Sequence, residues 1–172
     1  TLSVLLIAIG KRLGMTLFGV NSPAHFLVAA EVPSSAELLF IDPFNGPDLL
    51  TRIDAADRIA DQVAVPRDHV LPYLVPTRDR QILIRMLNNL KMTYHTQGDM
   101  DKLIRVITWL LALNPNNMAE VRNRGLIHLR QGHYEKGAAD LLTYVENVPD
   151  AEDIDLIKNE ALRARKQRSE MN

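Results

Sequence analysis

The sequence has no cysteine, which excludes disulfides and thiolate metal sites within the chain and fits a reducing compartment. Aromatic residues are scarce, 5% of the chain with a single Trp, and they are not interleaved with basic residues as a single-strand nucleic-acid binder requires. Glycine-rich phosphate loops and a His-Glu-x-x-His motif are absent, and His128 and His133 have no acidic neighbour of the usual zinc type. No cofactor and no metal are therefore expected. A formal net charge of −1 gives no electrostatic reason for a nucleic-acid or anionic-membrane partner, and the basic run "RARKQR" at Arg163 to Arg168 reads as a solvated helix face. The opening apolar run is too short to span a bilayer, and Lys11 and Arg12 follow it where a secretory signal would carry charge in front. A cytoplasmic location is expected. The chain opens on Thr1 as if inside a domain, so upstream residues are expected too.

What is present is ordinary globular material, 47% hydrophobic and 24% charged over 172 residues, enough for one domain or two small ones. Leu2 to Leu13 carry helix formers on every face, which predicts a buried helix stopped at Gly14. Strands are predicted over Thr16–Val20, His25–Glu31 and Glu37–Asp42. A helix followed by antiparallel strands indicates an α+β domain. A two-residue turn centred on Pro33 and Ser34 would set His25 directly opposite Asp42, with Leu27 and Phe40 on the same face and Phe26 and Val28 on the other. "PFNGPDLLT" reads as loop, and Thr51 or Asp54 as the cap of a helix through Val63. Pro66, Pro72 and Pro76 then mark a surface connection between two domains, 1–75 and 77–172. Thr77 is the expected N-cap of the long helix that follows.

The second half repeats. "YHTQGDMDKLIRVITWLLALNPNN" is followed by "HLRQGHYEKGAADLLTYVENVPDA", with Gly98 matching Gly132 and Pro115 matching Pro149 at the 34-residue period of tetratricopeptide units. Two units, 84–117 and 118–151, plus a capping helix form an all-α domain, and Tyr94, Ile107, Gly125 and Leu141 suit the pattern. Lys91, Arg124 and His128 do not: the first replaces a small residue, the others apolar ones.

Three stretches, "RLGMTLFGVNSPAHFLV", "FIDPFNG" and "RMLNNLKMTYHTQGDMDKLIRVITWLLALNP", together resemble the SirB-type family of bacterial proteins, a transglutaminase-like domain followed by tetratricopeptide repeats. The resemblance covers nearly the whole chain. It implies a papain-like core, truncated at its start, in which a cysteine heads the buried helix while a histidine and an aspartate lie on the following strands. His25 and Asp42 match the latter two. The cysteine position falls just before Thr1, and in SirB-type members the resemblance implies that it usually holds another residue.

Acyl transfer of that kind needs a thiolate, an imidazole to generate it, a third group to orient the imidazole and donors for the oxyanion. Only the imidazole and its orienting acid are visible. Thr1 and Ser3 lie past the nucleophile position and are poor substitutes. Two roles stay open for His25 and Asp42: a structural pair at the end of the hairpin, or base and orienting acid for an upstream cysteine. The repeats offer another surface, the concave groove lined by the first helix of each unit. Arg85, Asn88, Met92, His95, Arg122, Leu126 and Arg130 are expected there, the arginines suiting acidic or C-terminal carboxylate groups of a peptide. The first domain could instead cover that face. The leading expectation is a catalytically incomplete regulatory module that binds a protein or peptide partner; the alternative is a papain-like cysteine hydrolase or acyltransferase. The sequence does not set the oligomeric state.

Overall fold

The computed structural model describes residues 2–23, 25–33 and 37–170. The chain divides into two compact units, 1–83 and 84–172.

The first unit begins with helix α1 (Leu2–Arg12), which ends at Gly14 in the left-handed region (φ 78°). Strands β1 (Leu17–Asn21), β2 (Phe26–Glu31), β3 (Leu38–Ile41) and β4 (Leu49–Leu50) form an antiparallel meander in the order β1-β2-β3-β4. The short β4 lies inside the stretch expected to be loop. Helix α2 (Arg52–Val63) starts with a capping box in which Thr51 and Asp54 each accept the other's backbone N–H. Val20, Leu27, Ala29 and Phe40 from one sheet face meet Ala55, Ala56 and Ile59 of α2 in a closed core. These alanines let the helix approach the sheet closely, while alternation along β2 and β3 supplies the large side chains.

Three expectations for this unit need correction. The predicted burial of α1 is one-sided: Ser3 and Gly10 are buried, whereas Leu2, Leu5, Ile9 and Leu13 are exposed. Contact with β1 and β2 covers a single face of the helix, where Ser3 Oγ donates to the Phe26 carbonyl at 2.9 Å and Gly10 makes room for Leu17. The proline-rich stretch is not a surface connection. It forms helix α3 (Arg67–Val70) and a 3-10 turn (Leu71–Tyr73), and it puts Val70 and Leu74 into the core. The division into units accordingly falls later, within helix α4 (Asp79–Gln97). Thr77 does not stand at the start of α4; its hydroxyl accepts the Asn21 N–H at 2.9 Å and its own N–H donates to the Gly19 carbonyl at 2.7 Å.

The second unit continues with α5 (Met100–Leu113), α6 (Met118–Arg130), α7 (Tyr134–Asn147) and α8 (Ile154–Glu170). The helix pairs α4/α5 and α6/α7 are the two repeats and α8 is the cap. Gly98 and Gly132 turn the chain between paired helices at φ 70° and 76°, a conformation costly for any residue with a Cβ. Asp99 and Asn117 cap α5 and α6 by accepting the N–H groups of Lys102 and Glu120. Leu103, Ile107, Leu111 and Val121 close the core between the repeats, and Leu141, Tyr144, Ile157 and Ala161 close it toward the cap. Tyr94, half-buried, packs against the first of these clusters, and Gly125 lies against Leu141, as the repeat pattern requires.

Close packing of α6 on α7 depends on small residues. A Cβ on Gly137 would lie 2.3 Å from Leu129 Cδ2 and 2.9 Å from the Gly125 carbonyl oxygen. Gly137→Ala is expected to destabilise the protein by about 1–3 kcal/mol through overpacking. Gly98→Ala, where a Cβ meets nothing within 4 Å, should cost about 1–2 kcal/mol from backbone strain alone. Urea unfolding of both variants checks the order.

Candidate functional site

In the first unit the sequence-predicted pair does come together, by a different register. Val28 pairs with Ile41 and Ala29 with Phe40, so continuation of the ladder sets Leu27, not His25, opposite Asp42. The predicted two-residue turn is replaced by a longer connection between Glu31 and Leu38; Ser34, its predicted centre, lies outside the described residues. A shift of two residues preserves side-chain parity. His25 therefore remains on the face of Asp42 and reaches it diagonally, with Nδ1 3.2 Å from Oδ2.

Asp42 is the more deeply placed partner, its side chain 3% exposed against 21% for His25. Its Oδ1 accepts the Phe44 N–H at 3.0 Å, and its Oδ2 accepts the Asn45 side-chain amide at 2.7 Å. The Asn45 and Gly46 N–H groups bond to its carbonyl. The "DPFNG" turn is thus wound around one aspartate. His25 is fixed from its backbone, with the carbonyl accepting from Ser22 Oγ at 2.8 Å and the N–H donating to the Pro23 carbonyl. The arrangement can orient an imidazole. Of the two hydroxyls weighed as nucleophiles, Ser3 is engaged with Phe26, and Thr1 lies outside the described residues. Among the described residues no cluster of three or more His, Asp or Glu could hold a metal ion.

In the second unit, Met92 and His95 of α4 and Leu126 and Arg130 of α6 line one cleft of about 420 Å³. Its floor includes Leu103 and Ile107, and Lys91, Glu120 and Asn123 also line it. Four of the seven residues expected on this face line the cleft. Arg122 is directed elsewhere: its Nε lies 2.5 Å from Asp153 Oδ2, and its guanidinium stands over the Tyr144 ring. Arg85 and Asn88 are not among the residues lining the cleft; Arg85 is half-buried, and burial lowers its pKa.

The three departures from the repeat pattern each have a partner. Lys91 pairs with Glu120, whose side chain is 9% exposed, and so ties α4 to α6. Arg124 clasps Asp140 of α7 with two parallel hydrogen bonds of 2.8 Å, and that bonding raises the guanidinium pKa further. His128 is buried against His133, ring centroids 5.6 Å apart in an edge-on arrangement. Lys91 and Glu120 were missed as a site because 29 residues separate them, and no local periodicity links them.

The two sites differ in what their charges support. Asp42→Ala removes the acceptor for Phe44 and Asn45 and should destabilise the protein by about 2–3 kcal/mol. His25→Ala, at the exposed end of the pair, should cost about 1 kcal/mol or less. Chemical denaturation of both variants tests whether the aspartate holds the turn. His128 gives a pH dependence. Burial is the main cause of its lowered pKa, with His133, Arg124 and Lys136 acting in the same direction and Asp140 opposing them. The unfolded chain, with an imidazole near 6.5, then binds the proton more readily than the folded one. Stability is therefore full above that value and falls as pH drops through it toward the folded pKa. Melting temperatures between about pH 7 and pH 5 should show this decline, and His128→Leu should flatten it.

Comparison with known proteins identifies both units. Residues 1–88 match the transglutaminase-like superfamily and residues 90–161 the tetratricopeptide repeat. A UPF0162 protein of Xylella fastidiosa is 34% identical over 92% of this chain and 57% of its own length. UPF0162 protein YchA of Escherichia coli and Protein SirB1 of Salmonella typhimurium are each 25% identical over 87% of this chain and 55% of theirs. The chain thus spans a little over half the length of these bacterial relatives. Tetratricopeptide repeats generally mediate protein interactions, and no described helix is long and apolar enough to cross a membrane. The matched segments, their order and the SirB1 and YchA relatives agree: the chain belongs to the transglutaminase-like superfamily, in its SirB-type form with tetratricopeptide repeats.

Proposed function

We propose that this protein is a cytoplasmic interaction module whose repeats bind a peptide segment of a protein partner, while the transglutaminase-like unit is catalytically incomplete. The observation that carries this reading is the cleft that joins exposed Met92 and His95 of α4 to Leu126 and Arg130 of α6. Its apolar floor and cationic margin match a peptide with apolar and acidic side chains, and its volume lies in the usual range for ligand sites. In this reading the His25–Asp42 pair is a structural element that fixes the end of the β2–β3 hairpin.

A second reading follows from the same pair. An imidazole 3.2 Å from a buried carboxylate is the orienting half of a cysteine acyl-transfer site, the nucleophile being supplied from outside these residues. One set of variants separates the two readings. A phage-displayed random-peptide library is selected on the immobilised chain, and the chain with its native upstream sequence is treated with iodoacetamide. Under the first reading, selected peptides bind the wild type and His25→Ala alike and lose binding to Met92→Glu, a substitution at a 67% exposed position expected to change stability by no more than about 0.5 kcal/mol. Peptide binding that survives Met92→Glu would remove the cleft from consideration. A fast-alkylating thiol whose reactivity disappears in His25→Ala would establish the second reading.

A further inference from the structure

Helix α1 has an apolar side that nothing among the described residues covers. Ser3 and Gly10 are buried toward β1 and β2, whereas Leu2, Leu5, Ile9 and Leu13 are between 46% and 73% exposed. Leu13 follows the helix but continues its path, since its N–H bonds to the Ile9 carbonyl at 3.1 Å. Separations of three, four and four residues set the four side chains within about 80° of one another around the helix. Such a stripe is the seam along which a second helix packs, and an exposed apolar surface of this kind marks an interface. Arg12 borders the stripe near its C-terminal end, exposed and without an ion pair among the described residues.

We infer that this side of α1 is an intramolecular interface: a helix formed by residues that precede Thr1 in the full-length polypeptide lies antiparallel along Leu2, Leu5, Ile9 and Leu13, with an acidic residue of its first turn against Arg12. Two observations select this occupant. The chain spans 57% of the Xylella fastidiosa relative, so a polypeptide of that length has ample residues outside these 172. The stripe is also too small for a second copy to hold. About 16 Å of helix, about 10 Å wide, offers far less than the roughly 800 Å² per partner of a stable association. A tethered segment needs no such area, because linkage raises its effective concentration to about the millimolar range. A short loop to the start of α1 makes the pair antiparallel. That sets the first turn of the added helix, where carboxylates suit the dipole, beside Arg12.

The full-length polypeptide, with its native upstream sequence, provides the test. Leu5→Cys and Ile9→Cys place thiols in the stripe, and Leu156→Cys, at a 61% exposed position of α8, is the reference. Iodoacetamide labelling is read position by position by peptide mass spectrometry, which keeps any native thiol apart. It is expected to be about tenfold slower or more at positions 5 and 9 than at position 156, because access governs the rate. Arg12→Lys puts an amine at the edge of the stripe. Treatment with a zero-length carbodiimide is expected to join position 12 to an Asp or Glu preceding Thr1 within a single polypeptide. Equal labelling at all three positions would overturn the inference. So would a cross-link between two polypeptides, or protection that disappears on dilution, either of which would make the stripe a contact between copies. A cross-link to a carboxylate beyond residue 172 would also overturn it, and no amide at position 12 would remove the acidic contact. Should the cysteine variants not fold, the cross-link of Arg12→Lys, a substitution at an exposed position, decides the question.

Discussion

Asp42, Glu120, Asp140 and Asp153 are carboxylates withdrawn in large part from water, and each needs donors before its surroundings can close over it. In every case at least one of those partners comes from another segment of the chain. Asp42 gathers His25, Phe44 and Asn45 and so fixes the exit from β3. Glu120 takes Lys91 and couples the first repeat to the second. Asp140 takes Arg124 and couples α6 to α7, while Asp153, just before α8, takes the Tyr144 hydroxyl at 2.9 Å and Arg122. Apolar burial drives the collapse of both units, but it is tolerant of small slides between helices. Directional bonds to buried charge are not, and these select one alignment.

That requirement explains why the second unit tolerates residues foreign to its repeat pattern. A lysine, an arginine and a histidine at positions meant for small or apolar side chains would each be destabilising alone. Arg124 is offset by a bidentate partner 16 residues away, where the geometry of guanidinium and carboxylate is most favourable. Lys91 is offset by Glu120. His128 makes no ion pair among the described residues; its imidazole is packed against His133, and burial outweighs the opposing Asp140 charge and holds it toward the neutral form.

The parts of this architecture that repeat, or that obey a local rule, were legible in the sequence. The 34-residue spacing of Gly98 and Gly132 located both inner turns because left-handed backbone strongly favours glycine. Thr51 and Asp54 announced the start of α2 in the same way. Strand parity put His25 and Asp42 on one face, but the register was misread, since it depends on a connection whose length local pattern does not fix. Val70 and Leu74 were hidden among prolines, where two apolar residues in a short stretch resemble a linker. For α1 the error ran the other way. Its apolar sequence predicts burial all round, whereas the described residues cover only the face toward β1 and β2. The cleft residues on α4 and α6 followed from the repeat pattern; the diversion of Arg122 to Asp153 did not, because the competing carboxylate lies in the connection before α8.

The His25–Asp42 pair combines a geometry that can orient an imidazole with bonds that hold the chain. In an acyl-transfer site the aspartate serves the imidazole. Here it also serves the chain: its carboxylate accepts the Phe44 N–H and the Asn45 side-chain amide, two bonds in the turn after β3 that need the aspartate side chain and do not need a histidine. Loss of the imidazole would leave the turn closed, whereas loss of the carboxylate would open it. Selection for folding alone is therefore sufficient to keep Asp42. It is not sufficient to keep a partly exposed histidine beside it, so the identity of the residue at position 25 is the part of the pair that carries information about chemistry.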